Sequence, residues 1–160
     1  MATSFVQIAN RALTYLGAAT ITSLEDDTKE ARSCNRLFEQ TRDQLLRDHP
    51  WNFAIFRASL AANTTSEEWA VENRQIVTDA AAPLEIVYVK QITDPTQFDS
   101  KFVEAFALRL AADIAYDITA SQTVATTAEA KFATMLKEAR LVDAQESLSA
   151  SENSWLDARV

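Results

Sequence analysis

Between Phe98 and Thr119 the chain repeats apolar residues with a helical period. Phe102, Val103, Phe106, Ala107, Leu110, Ala111, Ile114, Ala115 and Ile118 return at i, i+3, i+4 and i+7. That spacing draws one broad apolar face and predicts the central packing helix. Asp99 is placed as its N-cap, where a carboxylate accepts from the free N–H groups of the first turn. Phe98 and Val103 stand at the positions of a hydrophobic staple. Lys101, Glu104, Arg109, Asp113 and Asp117 are left for other faces, and the alanines at 105, 107, 111, 112 and 115 allow other helices to approach closely. The segment is expected to touch at least two further helices.

The same reading applies to the rest of the chain. Ser4 caps a first helix whose apolar face is Phe5, Ile8, Ala9, Ala12, Leu13 and Leu16, and Gly17 follows where a left-handed C-cap is wanted. A connector follows, from Ala18 to Thr28. Ile21 and Leu24 are expected to anchor it, and Glu25, Asp26 and Asp27 to complement the dipole of the next helix. That helix is expected from about Thr28 to Asp48, with Ala31, Cys34, Phe38, Thr41 and Leu45 repeating at three- and four-residue steps. Lys29, Arg32, Arg36, Arg42, Asp43 and Arg47 fall on the opposite, solvent side. His49-Pro50 ends it, since proline disfavours helical backbone in the residue before it. Trp51, Phe53 and Ile55 alternate with Asn52, Ala54 and Phe56, which predicts an extended segment through Leu60.

Residues 61–68 form a polar loop. Trp69-Ala70-Val71 and Gln75-Ile76-Val77 flank Glu72-Asn73-Arg74, a tight-turn pattern with Asn73 as the left-handed residue. Leu84 to Lys90 is the best strand, being β-branched and aromatic. Together these predict a small antiparallel sheet of two to four strands between helical halves. A last helix is expected from about Ser121 to Ser147, with a seam of Ala128, Phe132, Met135, Ala139 and Val142. The expected fold is therefore mainly α. It is a bundle of about four helices, one domain over 1–148, with a β insertion at about 52–91 and a C-terminal arm over 149–160.

Composition narrows the chemistry. A chain of 160 residues is long enough for a single domain with a real core. With one glycine and three prolines, few turns are specified by glycine, which favours helices. The net charge is −8, with no concentration of basic residues of the kind that grips phosphates. One cysteine, Cys34, excludes an internal disulfide and sits on an apolar stripe, as a small core residue does. One histidine, His49, supplies no dyad or zinc set on its own; a helix-end role near backbone is expected. Asp113 and Asp117 lie one turn apart and are expected to be solvated acids, no further metal ligand being foreseen nearby. No phosphate loop, dinucleotide turn or nucleophile elbow occurs. Catalytic residues, cofactor and metal are each expected to be none. The N-terminus lacks a basic-then-apolar signal pattern and no apolar run spans a bilayer, so a soluble protein made in the cytoplasm is expected. Arg32, Arg36 and Arg47 make a small basic patch, read either as a solvated face or as a partner site. Trp155 and Leu156 stand in a polar tail, where a tryptophan either moves freely or anchors a partner.

Two blocks, in order, resemble a known family. DDTKEARSCNRLFEQTRDQLLRDHPWNFAIFRASLA is similar to the front half of tailed-phage head-to-tail adaptors of the tail tubular protein A type. VYVKQITDPTQFDSKFVEAFALRLAADIAYDIT resembles their later signature, and IANRALTYLGAATITSLEDD fits their start. The chain departs from the family in its middle, where Leu60 passes through a brief polar loop directly to WAVENRQIVTD. A smaller sheet is therefore expected. The resemblance implies a structural adaptor without catalysis, found at the head–tail junction of the virion after assembly in the host cytoplasm. It implies a ring of about twelve copies closed by heterologous contacts, with the portal protein on one side and the tail tube or nozzle protein on the other. DNA would pass through without specific binding, helped by like charge, and no membrane is involved. Arg32, Arg36, Arg47, Trp69, Asn73, Arg74, Trp155 and Leu156 are the candidate protein-interface residues. A free-standing helical regulator or chaperone, and a tail-associated wall hydrolase, are the alternatives.

Overall fold

The computed structural model describes residues 4–60, 69–72, 75–78 and 84–148. Its elements are α1 (Phe5–Leu16), α2 (Lys29–Asp48), β1 (Ile55–Leu60), β2 (Trp69–Glu72), β3 (Gln75–Thr78), β4 (Leu84–Val89), α3 (Ser100–Thr119) and α4 (Gln122–Leu148). The chain divides into two compact units, a helical one of residues 1–54 and 91–160 and a β unit of residues 55–90. The fold is mainly α, four helices with small antiparallel strand pairs, as the periodicity predicts.

Each helix begins and ends for a local reason. Ser4 Oγ accepts from the Gln7 N–H and Gln7 Oε1 accepts from the Ser4 N–H, which closes a capping box on α1. Gly17 then adopts φ 68°, and its N–H bonds back to carbonyls of the last turn. Thr28 caps α2 by accepting from the Ala31 N–H at 3.1 Å, and the helix stops at His49, extended ahead of Pro50. Asp99 caps α3 through the Lys101 N–H at 2.7 Å. α3 ends at Ala120, a left-handed non-glycine residue at φ 50°. Such a residue carries about 1–2 kcal/mol of steric cost.

α3 is the centre of the helical unit and packs against α1, α2 and α4. Phe102, Phe106, Leu110 and Ile114 have no exposed surface, and Ala105, Ala107, Ala111 and Ala115 are equally buried, which lets three helices come close. Aromatic rings fill the space between the two sequence blocks. Phe102 meets Trp51 edge-on at 5.2 Å and Phe53 at 5.0 Å, and Phe106 meets Phe38 at 4.8 Å. α4 adds Ala128, Phe132 and Ala139 to the core.

Three local expectations are corrected. The extended segment after Pro50 does not start at Trp51. Residues Asn52–Ala54 make a 3-10 turn, in which the Ala54 N–H bonds to the Trp51 carbonyl at 2.8 Å, and the strand starts at Ile55. Arg42 is not on the solvent side; it is only 4% exposed, with Nε 2.8 Å from Asp43. Its aliphatic stem gives it an apolar surface that a charge-based reading overlooks. The acids after Leu24 do not all serve the α2 dipole. Asp26 closes the connector by accepting from the Thr22 and Ser23 N–H groups at 2.8 and 3.0 Å, which holds its pKa below the usual value. Asp27 pairs with Arg32, and Glu30 is the acid of the first turn. The connector is also pinned by Asn10, whose side-chain amide exchanges two hydrogen bonds with the Ile21 backbone at 2.7 and 2.8 Å.

In the β unit, β1 pairs with β4 from Ile55↔Val89 to Leu60↔Leu84, and β2 pairs with β3 from Trp69↔Thr78 to Glu72↔Gln75. These are two separate two-stranded antiparallel sheets, and along the chain the β2–β3 pair lies between β1 and β4.

Candidate functional site

The residues singled out from the sequence do not form one cluster among the described residues. Arg32 and Arg36 are one turn apart on the exposed side of α2, and each faces an acid: Arg32 lies 2.6 Å from Asp27, and Arg36 pairs with Asp117 of α3. Arg47 is exposed and lies eleven residues past Arg36, about 16 Å along the axis. The three arginines therefore do not make a single patch, and two of them are already paired. Exposed pairs of this kind contribute little to stability, about 0–1 kcal/mol each, so Arg32 and Arg36 remain able to exchange partners. Trp69 begins β2, opposite Thr78. Asn73, Arg74, Trp155 and Leu156 lie outside the described residues.

Asp117 is exposed to solvent as expected, whereas Asp113 is half-buried. Asp113 accepts from Thr41 Oγ1 at 3.0 Å and holds Arg109, whose Nη2 is 3.1 Å away. Asp117 holds Arg36. Both carboxylates thus tie α3 to α2. No group of three or more His, Cys, Asp or Glu that could hold a metal ion occurs among the described residues. Cys34 has no exposed surface, and burial together with the nearby Glu30 charge pushes its thiol up to about 11. The thiol is kept protonated there, which suits packing and not nucleophilic attack.

A polar cluster at the end of α2 was not legible in the sequence. His49 is bonded to a carboxylate and not to backbone: its Nε2 lies 2.9 Å from Asp143 Oδ2 on α4. The other oxygen of Asp143 accepts from the Asn52 N–H at 2.9 Å, and the Asn52 side-chain amide donates to the Asp143 carbonyl. Arg140 Nη2 donates to the Asp48 carbonyl at 3.1 Å, satisfying one of the free carbonyls at the α2 terminus. Trp51 is 1% exposed, its indole N–H donates to the Leu45 carbonyl at 2.9 Å, and its ring meets His49 edge-on at 4.8 Å. The HPWN segment is therefore a clamp between α2 and α4. The partner residue is 94 positions away from His49, so no local spacing announces it.

The surfaces left for other molecules are of two kinds. The first is apolar: Ile55, Val87, Tyr88 and Val89 are exposed on the β1–β4 pair, and Tyr116 and Leu141 on α3 and α4. The second is a shallow, open trough beside α4, lined by Tyr15, Leu108, Ala130, Lys131, Thr134 and Met135, with a volume of about 500 Å³. No helix among the described residues is long and apolar enough to cross a membrane. No protein-family model matches this chain, and no curated protein matches it.

Proposed function

We propose that this chain is a structural head-to-tail adaptor of a tailed bacteriophage, one subunit of a ring that joins the portal protein to the tail tube or nozzle protein while DNA passes through. The observation that carries the reading is the pair of ordered sequence blocks that resemble such adaptors. Its physical support is that these distant blocks interlock: Trp51 and Phe53 of the first pack on Phe98 and Phe102 of the second. Exposed apolar side chains on the β1–β4 pair and on α4 supply surface for neighbours, as an assembly component requires.

In this reading, copies close a ring through unlike surfaces, the long C-terminal helix makes the contact with the portal, and the β unit makes that with the tail. The net charge of −8 keeps DNA from adhering to the channel wall. The test is electron microscopy of the purified protein mixed with its portal. A ring of density added beneath the portal is the expected result. Failure to bind portal overturns it: a stable monomer or dimer indifferent to portal would instead be a helical regulator, and turnover of peptidoglycan would make it a wall hydrolase.

A further inference from the structure

The trough beside α4 has the chemistry of a seat for an aromatic side chain. Its floor and walls come from Tyr15 of α1, Leu108 of α3 and Ala130, Thr134 and Met135 of α4. Glu138, the acid of the lining, faces Lys101 at 4.0 Å, and the hydroxyls that line the trough are already engaged. Tyr15 donates its hydroxyl to Glu104, and Thr127 and Thr134 turn their hydroxyls back onto carbonyls of their own helix at 2.8 and 3.1 Å. What these residues leave to a ligand is ring face and methyl. One cation stands over the trough: Lys131 Nζ lies 6.0 Å from the Tyr15 ring centroid. The trough continues toward the α1 terminus as a second open pocket of about 310 Å³ that shares Tyr15, Thr127 and Lys131. Toward the other end, Leu141 is 61% exposed and lies on the same stripe, three and seven residues past Glu138 and Thr134.

We propose that the chain's own C-terminal segment folds back along α4 and seats Trp155 and Leu156 in this trough. The length of chain fits. α4 ends at Leu148, fourteen residues past Thr134, or about 21 Å along the axis. The seven residues 149–155 span about 23–25 Å when extended, so Trp155 reaches the level of Thr134 with little slack. Leu141 lies under the path and is covered on the way. Asp157, two residues further, then comes to the level of Lys131, the cation of the trough, and the two charges are opposite. The segment has one aromatic residue and the trough one aromatic wall, which together form an aromatic contact of the ordinary kind. This docking stands independently of the adaptor reading.

The experiment uses the full chain labelled with 5-fluorotryptophan. Its three tryptophans give three fluorine signals, and Trp155→Phe identifies that of Trp155. Docking displaces the Trp155 signal from its position in denaturant and leaves the displacement unchanged on dilution. Thr134→Arg fills the seat at an exposed helical position. It should return the Trp155 signal to the free position and leave that of the buried Trp51, which reports the intact core, where it was. A Trp155 signal at the free position in the unaltered protein overturns the proposal, as does a displaced signal that Thr134→Arg does not move. A displacement lost on dilution also overturns it, because the seat is then filled by a second copy's segment.

Discussion

The helical unit and the β unit treat the same kind of residue in opposite ways. In the helical unit large apolar side chains converge on α3, and Phe102, Phe106, Leu110 and Ile114 are wholly buried. In the β unit the register puts Ile55, Val87 and Val89 on one face of the β1–β4 pair and Phe56, Ile86 and Tyr88 on the other. Val87, on the first of these faces, is 64% exposed, and Tyr88, on the second, is 40% exposed. Phe56 finds partial cover from Tyr88 at 6.2 Å and from Lys90, 4.8 Å over its ring. A lone strand pair is marginal in water. The difference teaches that apolar content alone does not make a core; three helices around an alanine-lined fourth do, and two strands do not.

The largest expected effect tests that contrast directly. Phe102→Ala should destabilise the protein by about 3–5 kcal/mol, because it empties the centre of the aromatic cluster. Val87→Ala should change stability by no more than about 0.5 kcal/mol. Chemical denaturation of both variants measures this, and comparable losses would abolish the distinction between the units.

Next in size is the clamp between α2 and α4. Asp143→Ala removes the acceptor shared by His49 and the Asn52 backbone, both partly buried, and should cost about 1–3 kcal/mol. Hydrogen exchange should show the loosening in the second half of α4 and at 49–54, and in β1 and β4 no change. Protection that falls equally everywhere would mean that the clamp belongs to the global unfolding unit.

A smaller gain is expected at the α3 terminus. Ala120→Gly relieves a left-handed conformation that a Cβ disfavours, and should raise stability by about 0.5–1 kcal/mol, read as an upward shift of the denaturation midpoint. A lower midpoint would show that the entropy of the added glycine outweighs the relief.

The smallest effect is electrostatic. Asp26 has its folded pKa lowered by backbone donors from Ser23 and Thr22. Its contribution is therefore complete above the unfolded value, near 3.8, and is lost as pH falls through the lower folded value. Wild type should lose more stability than Asp26→Asn on going from about pH 5 to about pH 2. Parallel acid titrations of the two would remove Asp26 from the connector's stability.

The portions of the fold legible in the sequence are those that short spacing controls. Ser4, Thr28 and Asp99 announce helix starts, Gly17 and His49-Pro50 announce ends, and the apolar steps from Phe102 to Ile114 announce the buried helix. The strand beginning was misplaced because Trp51 and Phe53 alternate like a strand while their rings are claimed by α3 and the backbone turns to deliver them. Arg42 was misplaced because periodicity ranks residues by charge, whereas burial followed the contact face. Of the interface residues, the basic trio was legible as residues but not as a surface, since Asp27 and Asp117 intervene.

By itself the sequence determined which segments are helix, where each helix starts and stops, and that α3 must be surrounded, because caps and apolar periods act within a few residues. Only the tertiary structure decided which polar groups meet: Asn10 with Ile21, Thr41 with Asp113, His49 and Asn52 with Asp143. Those pairs depend on how helices cross, and helix crossing is settled by the fit of whole faces. The trough beside α4 has the same origin, being the space left where α1 and α4 lean on α3 without filling the gap between them.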